Sequence, residues 1–141
     1  MKVYLDTSVV LRKLFNEPDM ISGWGKWQRA YASRIWLTEA RRTVDRIRLE
    51  GRIADGDVAQ LHAELGIIND ALYLIPVNEE ILGRAGEAFP TTLGTLDAVH
   101  LASALMVRAA TGLDRFLTHD RRLALAAKSL GFSVAGVQGK L

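Results

Sequence analysis

With 141 residues, 49% of them hydrophobic and 24% charged, the chain has the dimensions of one soluble domain, and at ~100–200 residues per domain a second complete core does not fit, so residues 1–141 are expected to form a single unit. The absence of cysteine excludes a disulfide scaffold, a thiol nucleophile, cysteine-ligated zinc and iron–sulfur clusters, and no apolar run approaches the ~20 residues that cross a bilayer. The net charge of +2 conceals a split: residues 24–53 carry eight Lys/Arg against three acids and residues 98–141 six against two, while residues 54–97 carry one Arg against eight acids, which reads either as a polyanion-facing side opposite an acidic side or as charged helix faces.

Met1-Lys2-Val3-Tyr4-Leu5-Asp6 reads as the start of the fold, because a signal peptide needs a longer apolar stretch before its first acid. The expected compartment is the cytoplasm. Lys2–Leu5 is β-prone, and Thr7 or Ser8 is expected to cap an amphipathic helix over Val9–Phe15 that Glu17-Pro18-Asp19 ends. Residues 22–32, with Trp24, Trp27 and Tyr31, read as a second helix, and Ser33–Leu37 as a second strand. Thr38 is expected to cap a helix reaching Gly51, in which Ala40, Val44 and Ile47 recur at helical spacing. Asp55 opens a helix with the apolar stripe Val58, Leu61, Leu65 and Ile68. Leu72–Val77 is a third strand, and Asn78 caps an acidic helix over residues 79–89. Asp97 is the only formal charge from Leu96 to Val107, so that helix is expected to be buried on most sides. Arg115–Thr118 reads as a fourth strand, residues 121–130 as a helix ended by Gly131, and Phe132–Ala135 as a fifth strand. Strands separated by helices imply parallel pairing with right-handed crossovers, hence a three-layer α/β/α sandwich around a parallel five-stranded sheet.

In open α/β sheets ligands bind outside the carboxyl ends of the strands, and acids fall at such places. Asp6 follows the first strand, Asp120 follows the fourth, Asp97 starts the buried helix, and Glu39 lies in the first turn of the helix after the second strand. Each one alone reads as a helix cap or a dipole-complementing acid. Together, four carboxylates at one edge would repel unless a cation shared the site, and carboxylates without His or Cys ligands suit hard ions such as Mg²⁺ or Mn²⁺.

Leu5-Asp6-Thr7-Ser8, the Glu39 helix, Leu96-Asp97-Ala98-Val99-His100-Leu101-Ala102 and Thr118-His119-Asp120-Arg121-Arg122-Leu123 resemble the ordered motifs of PIN-domain nucleases, most of all the VapC-type toxins of toxin–antitoxin pairs. The resemblance covers essentially the whole chain. It implies a parallel sheet flanked by helices, a Mg²⁺- or Mn²⁺-dependent ribonuclease acting on RNA, a homodimer and a cognate antitoxin. All four acids of the family pattern have a match here.

Phosphodiester hydrolysis needs an activated water and stabilised charge on the leaving oxygen, and bound metal supplies both. Asp6 and Asp97 are assigned as primary ligands, Asp120 as a ligand directly or through water, and Glu39 as holding a second ion or orienting the attacking water; one ion or two stays open. Thr7, Ser8 and Thr118 are assigned to hydrogen-bond the carboxylates or metal-bound water. Without the four acids the balance is 18 basic to 12 acidic residues, so a filled cleft would be flanked by cationic walls that favour phosphate. Arg41, Arg42, Arg46, Arg121 and Arg122 are the candidate RNA contacts, their alternative being a solvated helix face. His100 is expected to be packed or hydrogen-bonded rather than a ligand, and His62 to be plain surface. Trp24 and Trp27 could stack on RNA bases, but core or subunit packing is the better reading of them; together with Tyr31, the Val58/Leu61/Leu65/Ile68 stripe and Leu72 they are also read as surplus apolar surface for self-pairing and for an amphipathic antitoxin segment.

Rival readings fit less well. A haloacid-dehalogenase-like phosphatase needs a second Asp two residues after the first, where this chain has Ser8, and a receiver domain needs an acidic pair that is missing. A housekeeping PIN-domain nuclease without an antitoxin, and a non-catalytic binding module whose acids only cap helices, remain as alternatives.

Overall fold

The computed structural model describes residues 1–141. Five parallel strands, β1 (Lys2–Leu5), β2 (Arg29–Ser33), β3 (Tyr73–Ile75), β4 (Arg115–Leu117) and β5 (Val134–Ala135), form one sheet in the order β3-β2-β1-β4-β5. Six helices connect them: α1 (Thr7–Leu14), α2 (Trp36–Leu49), α3 (Asp55–Asp70), α4 (Glu79–Ala85), α5 (Thr95–Thr111) and α6 (Arg121–Ser129).

Successive strand residues point to opposite faces, and the core divides accordingly. Val3, Leu5, Ala30, Ala32 and Leu117 pack on one side with Val9 and Val10 of α1, Trp36, Ala40 and Val44 of α2 and Leu65 of α3. Tyr4, Tyr31 and Phe116 pack on the other with Leu101, Ala104 and Val107 of α5 and Leu123, Ala126 and Ala127 of α6. Helix α4 covers α5 through Ile81, Val99 and Ala102. The three-layer sandwich with a parallel five-stranded sheet is therefore present as expected.

The chain leaves β1 toward β2 and β3, then returns to place β4 on the other side of β1. This reversal makes the β1/β4 boundary the topological switch point, where doubly wound sheets open their binding crevice. Register matches Tyr4 with Phe116 and Leu5 with Leu117, so Asp6 and Thr118 leave the sheet side by side.

Several local expectations fail. No helix forms over residues 22–32: Gly23 and Gly25 adopt φ of 75° and 79°, a left-handed conformation that breaks the helix the aromatic spacing imitated. The second strand consequently lies at residues 29–33, paired with β1 from Lys2↔Arg29 to Tyr4↔Tyr31, rather than at 33–37. Trp36 starts α2 and is fully buried, with its indole Nε1 donating to Asn69 Oδ1 at 3.1 Å. Thr38 is thus inside α2 and caps nothing, and Asp6 rather than Thr7 or Ser8 caps α1. The stripe on α3 is not surplus surface: Leu65 is fully buried and Val58, Leu61 and Ile68 pack on the core, as do Trp24, Trp27 and Leu72, while Tyr31 is itself buried. The apolar groups left in solvent are others, among them Ile67, Tyr73 and Leu82.

Candidate active site

Asp6 emerges from β1 into the first turn of α1. Its Oδ2 accepts from the Ser8 hydroxyl at 2.5 Å and from Thr118 Oγ1 at 2.9 Å, and more weakly from the Ser8 amide at 3.4 Å. The Ser8 hydroxyl in turn accepts from the His119 amide at 3.0 Å, and Thr118 Oγ1 from the Asp120 amide at 3.0 Å. Ser8 and Thr118 therefore lock the β1 and β4 ends together across Asp6. Asp120 Oδ1 caps α6, accepting from the Arg122 and Leu123 amides at 2.8 and 3.0 Å.

Glu39, one turn into α2, is held by two donors on one oxygen: Thr7 Oγ1 at 2.8 Å and His100 Nε2 at 2.6 Å. His100 belongs to α5, one helical turn after Asp97, and is fully buried with Nε2 also 3.7 Å from Asp6 Oδ1. Burial alone would lower its pKa; the Glu39 hydrogen bond and the charges of Asp6, Glu39 and Asp97 outweigh it, and the net displacement is upward. His100 is thus hydrogen-bonded and packed, as its sequence position implied. Its tie to Glu39, and Tyr4 behind it, were not foreseen. The available signals were the three-residue step from Asp97 and the two-residue step from Tyr4 to Asp6 along one strand face.

Asp97 completes the group. Its carboxyl is raised to about 6, first by burial, then by the charges of Asp120 and Asp6, with His100 opposing and Glu39 adding a smaller rise. The charges of Asp6, Glu39 and Asp120, at the heads of α1, α2 and α6, therefore all reach Asp97 in the first turn of α5. The donor chemistry fits a hard divalent cation, since every group is an oxygen ligand. The hydrogen bonds engage Oδ2 of Asp6, Oε1 of Glu39 and Oδ1 of Asp120, and the other oxygen of Asp6 stands 3.7 Å from His100 Nε2. No three His, Asp or Glu side chains stand at a common ligating distance.

A recess of about 640 Å³ opens beside Asp120, the one of the four acids that lines it, with Ser8 and His119, the arginines Arg12, Arg46 and Arg52, and the apolar Leu11, Phe15, Ile47 and Ile53. Of the arginines singled out from sequence, only Arg46 lines it. Arg42 is exposed and lies 4.0 Å from Asp45; Arg41, two residues from Glu39, projects from another side of α2. Arg121 is not free for a ligand, because its guanidinium donates to the carbonyls of Gln138 and Lys140. Arg122 is exposed. Arg12 and Arg52 were missed because neither neighbours an acid motif in sequence.

Residues 3–129 match the PIN domain family. Ribonuclease VapC47 of Mycobacterium tuberculosis is 30% identical over 142 residues, spanning 94% of this chain and 95% of its own length. Ribonuclease VapC46 of the same species is 33% identical over 132 residues, with 94% and 95% coverage. Among solved structures, FitAcB from Neisseria gonorrhoeae shares the fold with a TM-score of 0.68 at 19% identity, covering 95% of this chain and 96% of that one. VapBC2 from Rickettsia felis, bound to a DNA fragment from its promoter, does so at 0.66 and 16%, covering 96% and 98%. With a single parallel sheet of this order and a family match along nine-tenths of the chain, one assignment is left: the chain belongs to the PIN-domain family and is a relative of the VapC ribonucleases.

Proposed function

We propose that residues 1–141 act as one endoribonuclease domain that hydrolyses RNA phosphodiester bonds with Mg²⁺ or Mn²⁺, and that the protein is the toxin of a toxin–antitoxin pair. The observation that carries the reading is the placing of Asp6 and Asp120 at the ends of β1 and β4, tied through Ser8 and Thr118, with Glu39 and Asp6 both facing His100 one turn after Asp97; the Asp97 carboxyl is raised to about 6, first by burial and then by the charges of Asp120 and Asp6. Caps alone do not require such crowding. The relatives named ribonucleases support the choice of RNA.

Asp6, Asp97 and Asp120 would hold the cation, with Glu39 at a second ion or at the attacking water. Bound metal lowers the pKa of its water and neutralises charge on the phosphoryl oxygens. The chain's own groups do the rest. Ser8 and Thr118 fix Asp6, the Asp120 cap fixes that carboxylate at the head of α6, and the unbonded Glu39 oxygen accepts a proton from the nucleophile. Arg12, Arg46 and Arg52 bind phosphates flanking the scissile bond. The toxin–antitoxin complex from Klebsiella pneumoniae, of like fold at a TM-score of 0.62, supports an antitoxin partner, which would work with the toxin in the cytoplasm. Self-pairing as a homodimer draws support from Ile67, Tyr73 and Leu82, exposed by 71%, 51% and 47% on the consecutive elements α3, β3 and α4.

The test is cleavage of a labelled RNA by the purified chain with Mg²⁺, with Mn²⁺ and with EDTA, beside Asp6→Asn. Cleavage that needs the metal and Asp6 is the expected result. EDTA-resistant cleavage, or equal cleavage by the variant, would refute the mechanism.

A further inference from the structure

Beneath the acids lies a buried hydrogen-bond relay that the reaction above does not use. Tyr4 and His100 are both fully buried. The Ser33 amide of β2 donates to the Tyr4 hydroxyl at 3.0 Å. That hydroxyl stands 2.8 Å from His100 Nδ1, and His100 Nε2 stands 2.6 Å from Glu39 Oε1. The relay thus runs from β2 through β1 and α5 to α2, and Thr7 of α1 closes it with a second donation to the same Glu39 oxygen.

The donor and acceptor inventory fixes its direction. An ionised carboxylate only accepts, so Nε2 carries the hydrogen between His100 and Glu39. The Ser33 amide occupies one lone pair of the Tyr4 oxygen; when the ring is neutral the Tyr4 hydrogen is then available to Nδ1, and when it is protonated Nδ1 donates to Tyr4 while Nε2 still donates to Glu39. In this way the second nitrogen sets the tautomer of the first. A histidine that merely filled space here would desolvate two polar atoms beside carboxylates, an unfavourable exchange for an apolar side chain unless both nitrogens are satisfied. Both are satisfied, and the outcome is directional: Glu39, with its three rotatable side-chain bonds, has Oε1 held by two donors while Oε2 takes part in no hydrogen bond.

We propose that Tyr4 and His100 are positioning residues, a relay anchored in the sheet backbone that holds the Glu39 carboxylate in the one orientation able to serve the hydrolysis. The proposal rests on the nuclease reading and deepens it. Groups that orient catalytic carboxylates or ligands typically change activity by roughly 10–100-fold when removed, whereas a residue needed only for packing changes stability and the amount of folded protein, not the turnover of what is folded.

Two measurements on the full chain test it. Ring-nitrogen NMR of the histidine-labelled wild type is expected to show hydrogen on His100 Nε2; a bare Nε2 with the hydrogen on Nδ1 overturns the relay whatever the variants do. Steady-state cleavage of a short fluorogenic RNA in Mn²⁺ is then compared for wild type, His100→Leu and His100→Gln, per mole of protein shown folded by circular dichroism. His100→Leu is expected to lower kcat by about 10–100-fold with KM changed by no more than about twofold. His100→Gln, whose amide can still donate to Glu39, is expected to recover most of the lost kcat. Wild-type kcat in folded His100→Leu, or no recovery in folded His100→Gln, refutes the positioning role while leaving the nuclease reading intact. A wild type that cleaves no RNA in Mn²⁺ or Mg²⁺ brings down both.

Discussion

Replacing Asp97 with Asn should abolish RNA cleavage and, in the absence of metal, raise stability at neutral pH. The carboxyl is displaced from 3.8 to about 6, which in full corresponds to about 3 kcal/mol at ~1.36 kcal/mol per pKa unit. Asp97 is only part-buried, and solvent screening reduces the figure to about 1.5 kcal/mol. Against this, Asn gives up the favourable interaction of an anion with the first turn of α5, about 0.5 kcal/mol. Relief of the buried charge, and then of its repulsion by Asp120 and Asp6, wins by about 1 kcal/mol, or about 2–4 °C in Tm for a chain of this size. The sign depends on pH. The folded state keeps the Asp97 proton up to about pH 6, whereas the unfolded chain releases it near ~3.9. The stability that proton contributes is full below about pH 4 and is lost as pH rises through about 6. Thermal melts of wild type and Asp97→Asn in EDTA should therefore nearly coincide at pH 4 and separate by pH 7.5, the variant melting higher. A variant that melts lower at pH 7.5, or a difference that does not change between the two pH values, would refute the crowded-carboxylate account.

Saturating Mn²⁺ at ~100 times its dissociation constant should stabilise the wild type by about 2.7 kcal/mol and Asp97→Asn far less. The gain should shrink as pH falls through about 6, where the Asp97 proton competes with the ion; a melt indifferent to Mn²⁺ at pH 7.5 counts against a cation site. Arg46→Ala, at the rim of the recess, should weaken RNA binding and flatten its salt dependence by about one unit of slope, while Arg41→Ala leaves both unchanged, as fluorescence anisotropy at several salt concentrations would read. Gly136→Ala should cost at least about 2 kcal/mol in a urea titration, because φ there is +109° and an added Cβ would drive into the Thr118 carbonyl, 3.0 Å from its carbon, and toward Ile21. An unchanged midpoint would mean that the Thr118 loop yields freely.

The alternation of strand and helix signals was enough to specify three layers and a parallel sheet, because periodicity reports which face of an element is buried before its partner is known. The ordered acids were legible for a similar reason: a carboxylate just beyond a strand or at a helix start is placed by local geometry, and Asp6, Asp97 and Asp120 each sit where the sequence positioned them. Local signals failed where a neighbour decided the outcome. The Trp24, Trp27 and Tyr31 spacing imitates a helix, yet the pairing of β2 with β1 draws residues 29–33 into the sheet and sends Trp36 to the interior beside Asn69. Cap preference likewise pointed to Thr7 and Ser8, but their hydroxyls are taken by Glu39 and Asp6, and Asp6 is left to cap the helix. The relay from Ser33 through Tyr4 and His100 to Glu39 spans separations of 29, 96 and 61 residues. No periodicity encodes such distances, because only the order of strands in the sheet brings those side chains within bonding reach.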